Sequence, residues 1–390
     1  MTWIGWLSLL ALGLSVTAVV LALINRRTLR ERAAGAPPDT VASGTATPSD
    51  VAGTSPRTLV AFVANPTKPG VGQLRDTAVQ ACSARYLPEP LWLETTADDP
   101  GIGQTREALE RGARVVVAVG GDGTVRAVAE GLAGSQGAMG LIPQGTGNLL
   151  ARNLDLPIND VDALMRIALT GHERPIDVGW LTVVRDESQV SDDIAEADPH
   201  AVAPEKTPPD TAEPARDHIF LVIAGLGFDA AMVADTDEEL KAKVGWIAYF
   251  VAGVRHLHSR RMRIEMSTDG GEWTSHRLRS LLIGNCGRLP GGITLLPDAV
   301  LDDGWLDIGA IDTRGGVAGW AQLLGEVTMQ RFGMRNDLPN KIGRIDHSRA
   351  RRFAVRSRDA QQVQVDGDII GSALEITARV DERSLRVRVP

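Results

Sequence analysis

The residues best suited to chemistry form a glycine-rich loop directly after an apolar run. Residues 115–119 are all Val or Ala, and residues 120–124 read Gly-Gly-Asp-Gly-Thr. A short, apolar, β-branched run is typical of a buried parallel strand. Glycines at its end let backbone N–H groups approach a phosphate, and a following helix adds its N-terminal dipole. The pattern predicts a nucleotide-binding loop, with a tight βα turn that binds nothing as the alternative.

A second loop of similar character follows about one βα unit later. Residues 139–142 form another short run, and residues 143–148 read Pro-Gln-Gly-Thr-Gly-Asn. Because ligands of open α/β sheets bind where the carboxyl ends of strands meet, we expect the two loops to lie together. Neither loop has the Walker spacing or the three-glycine dinucleotide fingerprint.

Two acidic turns lie farther along the chain. Asp366-Gly367-Asp368 follows an alternating run, and its spacing alone favours an ordinary β-turn. Residues 302–305 read Asp-Asp-Gly-Trp and offer carboxylates and turn carbonyls, which are the hard oxygen ligands that Mg²⁺ prefers. An ordinary Asp-Gly turn is the alternative there as well.

In this order and spacing, the motifs resemble the diacylglycerol kinase catalytic domain family, which includes bacterial lipid kinases and the sphingosine and ceramide kinases. The resemblance extends from about residue 59 onward, and further matching pieces are residues 65–66, 225–229, 245–249, Asn285, residues 291–292 and residues 297–299. It implies an ATP-dependent lipid kinase that transfers γ-phosphate to a lipid hydroxyl. Diacylglycerol, giving phosphatidic acid for phospholipid biosynthesis, is the favoured acceptor.

The resemblance also implies which residues contact ATP. In the family, the glycine-rich loop and an upstream Asn-Pro loop bind the nucleotide, with help from further threonines. The matching residues here are Asn65, Pro66, Thr67, Thr96 (or its neighbour Thr95), Gly120, Gly121, Asp122, Gly123, Thr124, Gly145, Thr146 and Asn148. Helix N-capping is the alternative role for Asn148.

The same resemblance implies a catalytic role for one acidic turn and a metal-binding role for the other. The family carries Asp-Gly-Glu at the first turn and draws its catalytic base from it, so Asp366 or Asp368 is the expected base, and which one is open. This chain departs from the family because Asp368 replaces the glutamate and is one methylene shorter. At the second turn, the resemblance implies a structural Mg²⁺ bound by the Asp303 side chain and the carbonyls of Val300 and Trp305.

Two other functions stay open. NAD kinase shares the Gly-Gly-Asp-Gly loop, although the second loop and the acidic turn argue against it. A catalytically weak protein that binds nucleotide or lipid is the other reading, because of the aspartate at position 368.

The elements that must position these residues divide into two types. Strand and helix patterns alternate over residues 58–174, which predicts a Rossmann-like α/β nucleotide-binding domain with a parallel sheet. Residues 175–390 are mostly strands and turns, which predicts an antiparallel β-sandwich that binds the lipid. The resemblance places the active site in the cleft between them.

The amino-terminal residues suggest a membrane anchor. Residues 3–24 are uncharged and long enough to cross a bilayer as one transmembrane helix, and several arginines follow. Residues 25–57 read as a flexible cytoplasmic linker. These features predict a single-pass protein of the cell membrane with cytoplasmic catalytic domains at the inner leaflet, and a cleaved signal peptide is the alternative.

Charge and composition limit the classes of molecule that this chain is expected to bind. The net charge of −8 comes mainly from residues 185–217, where ten acidic residues face three basic ones. This segment is predicted to be a disordered insertion at a hairpin tip. Nucleic-acid binding is not expected, because the chain is acidic and only 4% aromatic. Oligomeric state is open, with a homodimer among the options.

Overall fold

The computed structural model describes residues 58–186, 216–227, 261–289, 293–313 and 343–390. The helices in these ranges are α1 Val71–Ser83, α2 Ile102–Glu110, α3 Asp122–Leu132, α4 Leu149–Asn153 and α5 Val161–Thr170. The strands are β1 Leu59–Ala64, β2 Leu91–Glu94, β3 Ala113–Gly120, β4 Ala138–Pro143, β5 His172–Asp186, β6 Asp217–Phe220, β7 Ile223–Leu226, β8 Met262–Thr268, β9 Thr274–Leu278, β10 Ser280–Gly284, β11 Arg288–Leu289, β12 Ile293–Thr294, β13 Leu306–Thr313, β14 Gly343–Ala350, β15 Arg352–Val365 and β16 Asp368–Val389.

The first part of the described chain is a parallel α/β sheet, as predicted. Strands β2, β1, β3 and β4 lie side by side in that order, and every pair among them is parallel. The valines of β3 are completely buried, which explains the unbroken apolar run. In α3, Val125, Val128, Ala129 and Leu132 recur at helical spacing and are buried. The hydrophobic period of the sequence thus predicts these parallel strands and α3 correctly.

The second part is antiparallel, also as predicted, with β10, β7 and β15 as neighbouring strands. A second hydrophobic cluster, which includes Phe220, Leu281, Phe353 and Val363, fills its interior. Strand β5 pairs antiparallel with β6, so the strands that flank the predicted insertion form a hairpin. Residues 187–215 of that insertion lie outside the described residues. The sequence also predicts helical stretches near residues 240–257 and 317–332, and these lie outside the described residues as well.

The predicted fold class needs a first correction, because the two parts share one sheet. Fourteen of the described strands form a single mixed sheet rather than a separate parallel sheet and sandwich. The connection is β16, which pairs antiparallel with β15 and β5 and then, at Arg386 and Val387, parallel with β4. Strand β5 also runs through residue 174, and the domain limits of 58–174 and 175–390 stay a prediction.

The second correction concerns the membrane. Residues 3–24, predicted as a transmembrane helix, and the linker 25–57 lie outside the described residues. In the part of the chain that the structure describes, no helix is long and apolar enough to cross a membrane. The longest is α1 with 13 residues, or about 20 Å, against a hydrocarbon core of about 30 Å. The transmembrane helix and the cell-membrane localisation that depended on it are therefore withdrawn.

Candidate active site

Four loops meet at the carboxyl edge of the parallel strands. They follow β1 at Asn65, β2 at Thr95, β3 at Gly121 and β4 at Gln144. The Asn65 N–H donates to the Val119 carbonyl, and the Gln144 N–H donates to the Gly120 carbonyl, so the loops are tied to one another. The expectation that the two glycine-rich loops lie together is confirmed.

The β3–α3 loop presents the start of a helix to this edge. Helix α3 begins at Asp122, and its first internal hydrogen bond runs from Val125 N–H to the Gly121 carbonyl. The N–H groups of Gly123 and Thr124 therefore have no acceptor within the helix, which makes the turn suited to a phosphate. Gly120 has to be glycine, since a Cβ there would lie 2.6 Å from the Thr124 side chain.

Asp122 fastens the second loop to the first. Its carboxylate accepts hydrogen bonds from Asn148 N–H at 2.9 Å and Leu149 N–H at 2.6 Å. Burial raises the pKa of Asp122, the two amides oppose that shift, and the nearby charge of Asp368 adds to it. The acid in the glycine-rich loop thus has a structural role, and both of its oxygens are already used by this chain.

The second loop is packed tightly against the first. A Cβ on Gly145 would lie 2.9 Å from the Gly121 Cα, so only glycine allows this contact. Asn148 adopts a left-handed conformation with φ of 49° and accepts a hydrogen bond from Gly145 N–H at 3.0 Å. It makes no side-chain capping bond to α4, so its side chain shapes the loop instead. Thr146 is exposed at the tip.

The two glycine-rich loops, residues 120–124 and 143–148, together form what we call the cradle. The loops after β1 and β2 flank it. The Asn65 side chain accepts hydrogen bonds from the Thr67 N–H at 3.0 Å and hydroxyl at 2.7 Å, and Pro66 and Thr67 are exposed. Lys68 lies over the glycine-rich loop, with its Cε 3.9 Å from where a Cβ of Gly121 would be. Thr95 is buried, whereas Thr96 is exposed and accepts from the Asp99 N–H.

The acidic turn between β15 and β16 faces the cradle from the antiparallel part of the sheet. Asp366 and Gly367 both have positive φ, 48° and 93°, as a two-residue type I′ hairpin requires. The Asp366 carboxylate accepts three backbone hydrogen bonds, from Leu221, Val222 and Ile223, at 2.8–3.0 Å. Burial raises the pKa of Asp366 to about 6, while the Leu221 amide and the Arg126 charge act in the opposite direction.

Asp368 is placed differently from Asp366. Its side chain is 58% exposed, and its Oδ2 lies 3.8 Å from where a Cβ of Gly123 would be. Arg126 donates to the same oxygen at 2.7 Å and to the Val365 carbonyl at 2.7 Å. Arg126 thereby bridges α3 and the acidic turn. The sequence reasoning missed it, although its position one helical turn after Asp122 was a usable signal.

A buried amide supports this arrangement from behind. Asn285 is fully buried and donates to the carbonyls of Asp177 and Leu221, at 2.8 and 3.1 Å. Leu221 is one of the three residues whose N–H groups bind Asp366. Asn285 therefore fixes the segment at the β6–β7 junction whose N–H groups hold Asp366. The sequence analysis placed Asn285 in a motif without a role, since its partners are distant along the chain.

The second acidic turn does not fit the magnesium ion expected there. The Asp303 carboxylate contacts the Arg349 guanidinium and also accepts from Trp305 N–H at 3.2 Å. Asp302 is engaged by Arg174 at 2.9 and 3.1 Å. Within the described residues, no group of three or more His, Cys, Asp or Glu side chains is arranged to hold a metal ion. A guanidinium beside Asp303 supplies positive charge and donors, whereas Mg²⁺ needs free oxygens.

Comparisons with known proteins agree with this geometry. Residues 62–181 match the family model described as the diacylglycerol kinase catalytic domain. Residues 222–389 match the model described as the YegS C-terminal NAD kinase beta sandwich-like domain. The two matches divide at the β5–β6 hairpin.

Individual relatives support the same family. The chain is 32% identical over 270 residues to a probable lipid kinase YegS-like from Pseudomonas putida, covering 68% of this chain and 74% of that protein. It is 29% identical over 289 residues to the protein of the same name from Pseudomonas aeruginosa PAO1, covering 73% and 79%. A solved diacylglycerol kinase structure from Bacillus anthracis is similar in fold, with a TM-score of 0.60, 20% identity and coverage of 85% and 97%.

Proposed function

Because the chain belongs to the bacterial lipid kinases that carry a diacylglycerol kinase catalytic domain, we propose that it phosphorylates the hydroxyl of a diacylglycerol with ATP, giving phosphatidic acid. Membership of this family implies lipid kinase activity, and the identity of the acceptor lipid is our proposal. The supporting observation is the position of an exposed carboxylate, Asp368, directly across from the helix start that would hold the phosphates.

We propose that the nucleotide phosphates bind at the start of α3. The N–H groups of Gly123 and Thr124 and the ammonium group of Lys68 are the donors available there. Helix N-termini favour anions through these N–H groups and the helix dipole. Magnesium enters with ATP as part of the substrate, and it neutralises charge on the phosphates.

We assign the acceptance of the hydroxyl proton to Asp368 and the positioning of the turn to Asp366. Asp366 uses its carboxylate to accept three amides, whereas Asp368 is open to a substrate. As Asp368 takes the proton, the hydroxyl oxygen forms its bond to the γ-phosphorus, and the bond to the β-phosphate oxygen breaks to release ADP. Arg126 holds the Asp368 carboxylate in place.

The acceptor is expected to lie on the antiparallel side of Asp368. The sequence predicts an apolar pocket near residues 225–229 and 240–257, and most of these lie outside the described residues. The family's lipid kinase name is therefore the support for a lipid acceptor, and the choice of diacylglycerol requires a direct test.

The test is transfer of labelled γ-phosphate from MgATP to defined acceptors: diacylglycerol, a sphingoid base, phosphatidylglycerol and NAD. We expect labelled phosphatidic acid. Asp368→Asn should lower kcat by about 10²- to 10⁴-fold with little change in the KM for ATP, as loss of a general base does. Asp368→Glu should keep activity within about tenfold of wild type, since it keeps the carboxylate.

The matched control is Asp359→Asn, which removes an exposed carboxylate from β15 and should leave the rate unchanged. Another labelled lipid would reassign the acceptor, and labelled NADP would move the protein to the NAD kinases. Full activity of Asp368→Asn would contradict the assignment of the base. ATP binding with no labelled product would favour a binding protein.

A further inference from the structure

One arginine, Arg349, contacts Asp303, the side chain that the family resemblance implies as a ligand of a structural metal ion. Arg349 of β14 is directly opposite Asp307 of β13 in the register of the two strands. Its Nε donates to Asp307 Oδ1 at 3.1 Å, and its Nη2 reaches Asp307 Oδ2 at 3.2 Å. The same Nη2 donates to the Asp298 carbonyl at 3.3 Å and to the Asp303 carboxylate. One guanidinium thus joins three points of the segment 298–307.

The acidic groups around Arg349 need a cation. The Asp307 side chain is only 6% exposed and that of Asp303 is 25% exposed, and burial raises the pKa of Asp307. Two carboxylates this close repel each other unless positive charge lies between them. A divalent cation or a guanidinium can supply it, but both cannot use the same oxygens.

The rest of the turn is held by the chain itself. Gly304 N–H donates to the buried Asp177 carboxylate at 2.7 Å, and Asp302 pairs with Arg174. Gly304 also has a positive φ of 74°, which suits glycine. Gly304 and Asp302 are therefore held by protein groups, and the cation beside Asp303 and Asp307 is Arg349.

We propose that Arg349 replaces the structural divalent cation in this protein, so that the turn 298–307 is held without a metal ion. Magnesium is then needed only with the nucleotide. The inference concerns the folded state of the chain without substrates, and it does not depend on which lipid is phosphorylated.

The first measurement is thermal unfolding of the full chain without nucleotide, in EDTA, in 5 mM MgCl₂ and in 5 mM CaCl₂ at matched ionic strength. We expect the three Tm values to agree within about 1 °C, because no cation is bound by the folded state alone. A rise of several degrees with Mg²⁺ or Ca²⁺ that Asp303→Asn abolishes would overturn the proposal.

The second measurement removes the guanidinium. Arg349→Gln should lower Tm by roughly 5–10 °C in EDTA, because it leaves the Asp307 charge buried without a partner. The matched control is Arg351→Gln, two residues along: Arg351 stacks on Trp305 and pairs with Glu382 where both side chains are about half exposed. The control should lose at most about 2 °C. Equal losses in the two variants would contradict a special role for Arg349.

A double variant keeps the test decisive if Arg349→Gln folds poorly. Arg349→Gln with Asp307→Asn removes both charges, so it should unfold at a higher temperature than Arg349→Gln alone. Tm losses that simply add would show that the two side chains do not act as a pair, and would overturn the proposal.

Discussion

At the scale of single residues, the two aspartates of the acidic turn have different environments two positions apart. Asp366 has left-handed backbone, and its carboxylate is held by three amides. Asp368 begins β16, is exposed and is held only by Arg126. The choice between base and positioning group, which the sequence leaves open, thus rests on which carboxylate a substrate can reach.

The raised pKa of Asp366 predicts a pH dependence of stability. With a folded-state pKa of about 6 and an ordinary value near 3.9, the folded protein holds a proton between these pH values that the unfolded chain has released. The contribution of Asp366 to the free energy of unfolding therefore falls as pH rises from about 4 to about 6, by at most about 3 kcal/mol, and is level above about 7.

The measurement is urea unfolding of wild type and Asp366→Asn at several pH values between 4 and 8. The quantity to plot is the wild-type free energy of unfolding minus that of the variant, which cancels the other titrating groups. Asp359→Asn, which removes an exposed carboxylate from β15, is the matched control. A wild-type-minus-Asp366→Asn difference that rises with pH over this window would contradict the raised pKa.

At the scale of elements, the two glycine-rich loops form one unit rather than two separate contacts. Strands β3 and β4 place them side by side, the glycines at positions 121 and 145 let their backbones touch, and Asp122 accepts two amides of the second loop. We expect phosphate binding at the start of α3 to depend on both loops, because the second loop packs directly against the turn that carries the Gly123 and Thr124 N–H groups.

Asp122→Ala should therefore weaken ATP binding as well as stability. It leaves the Asn148 and Leu149 amides without their acceptor, and we expect about 10- to 100-fold weaker ATP binding, corresponding to about 1–3 kcal/mol. The measurement is calorimetric titration with MgATP beside thermal unfolding.

The matched control is Asp160→Ala. Asp160 caps α5 through the Ala163 N–H at 2.9 Å, and α5 lies after the second loop rather than in it. Loss of this cap costs about 1 kcal/mol of stability, with no reason for ATP affinity to change. Equal ATP affinity in the two variants would show that Asp122 acts only on stability.

At the scale of the whole molecule, one face of the described surface is rich in arginine. A cavity of about 650 Å³ beside β8, β9 and β15 has one carboxylate, Glu265, and five arginines in its lining: Arg185, Arg263, Arg277, Arg356 and Arg358. Arg263 and Arg277 are directly opposite each other across the two strands. Among the described residues, Arg356 pairs with Glu375, whereas no carboxylate pairs with Arg263, Arg277 or Arg358. Like charges in neighbouring positions are costly unless an anion lies near them.

This face predicts a preference for anionic membranes, which a lipid kinase has to contact. Replacing Arg263, Arg277 and Arg358 together by Gln should weaken binding to vesicles containing phosphatidylglycerol by roughly 100-fold, at about 1 kcal/mol for each arginine. Vesicle sedimentation measures it, with neutral phosphatidylcholine vesicles for comparison. The control is a triple variant in which Gln replaces Arg75, Arg106 and Arg114, three exposed arginines of the parallel part. It changes the net charge by the same amount and should bind the anionic vesicles as wild type does. Equal binding of wild type to neutral and anionic vesicles would contradict the prediction.

The sequence by itself determined the local features of this protein. Hydrophobic period located β1, β3, β4 and α3, because a buried parallel strand and an amphipathic helix leave different repeats in the chain. Glycine content located the loop after β3, where close packing leaves no room for a Cβ, and Asp-Gly located the β15–β16 turn, which needs positive φ. The order of these motifs also identified the family.

Only the tertiary structure decided which side chains meet. Arg126 and Asp368 are 242 positions apart, and Asp366 finds its amides more than 140 positions away, so no local pattern records either contact. The parallel pairing of β16 with β4 joins the two parts of the chain into one sheet for the same reason. A resemblance could propose a metal ion at Asp303, but the cation beside it, Arg349, comes from another strand and is brought there by folding. Sequence fixes backbone preference over a few residues, whereas charge compensation is settled by whichever group the fold brings within hydrogen-bond distance.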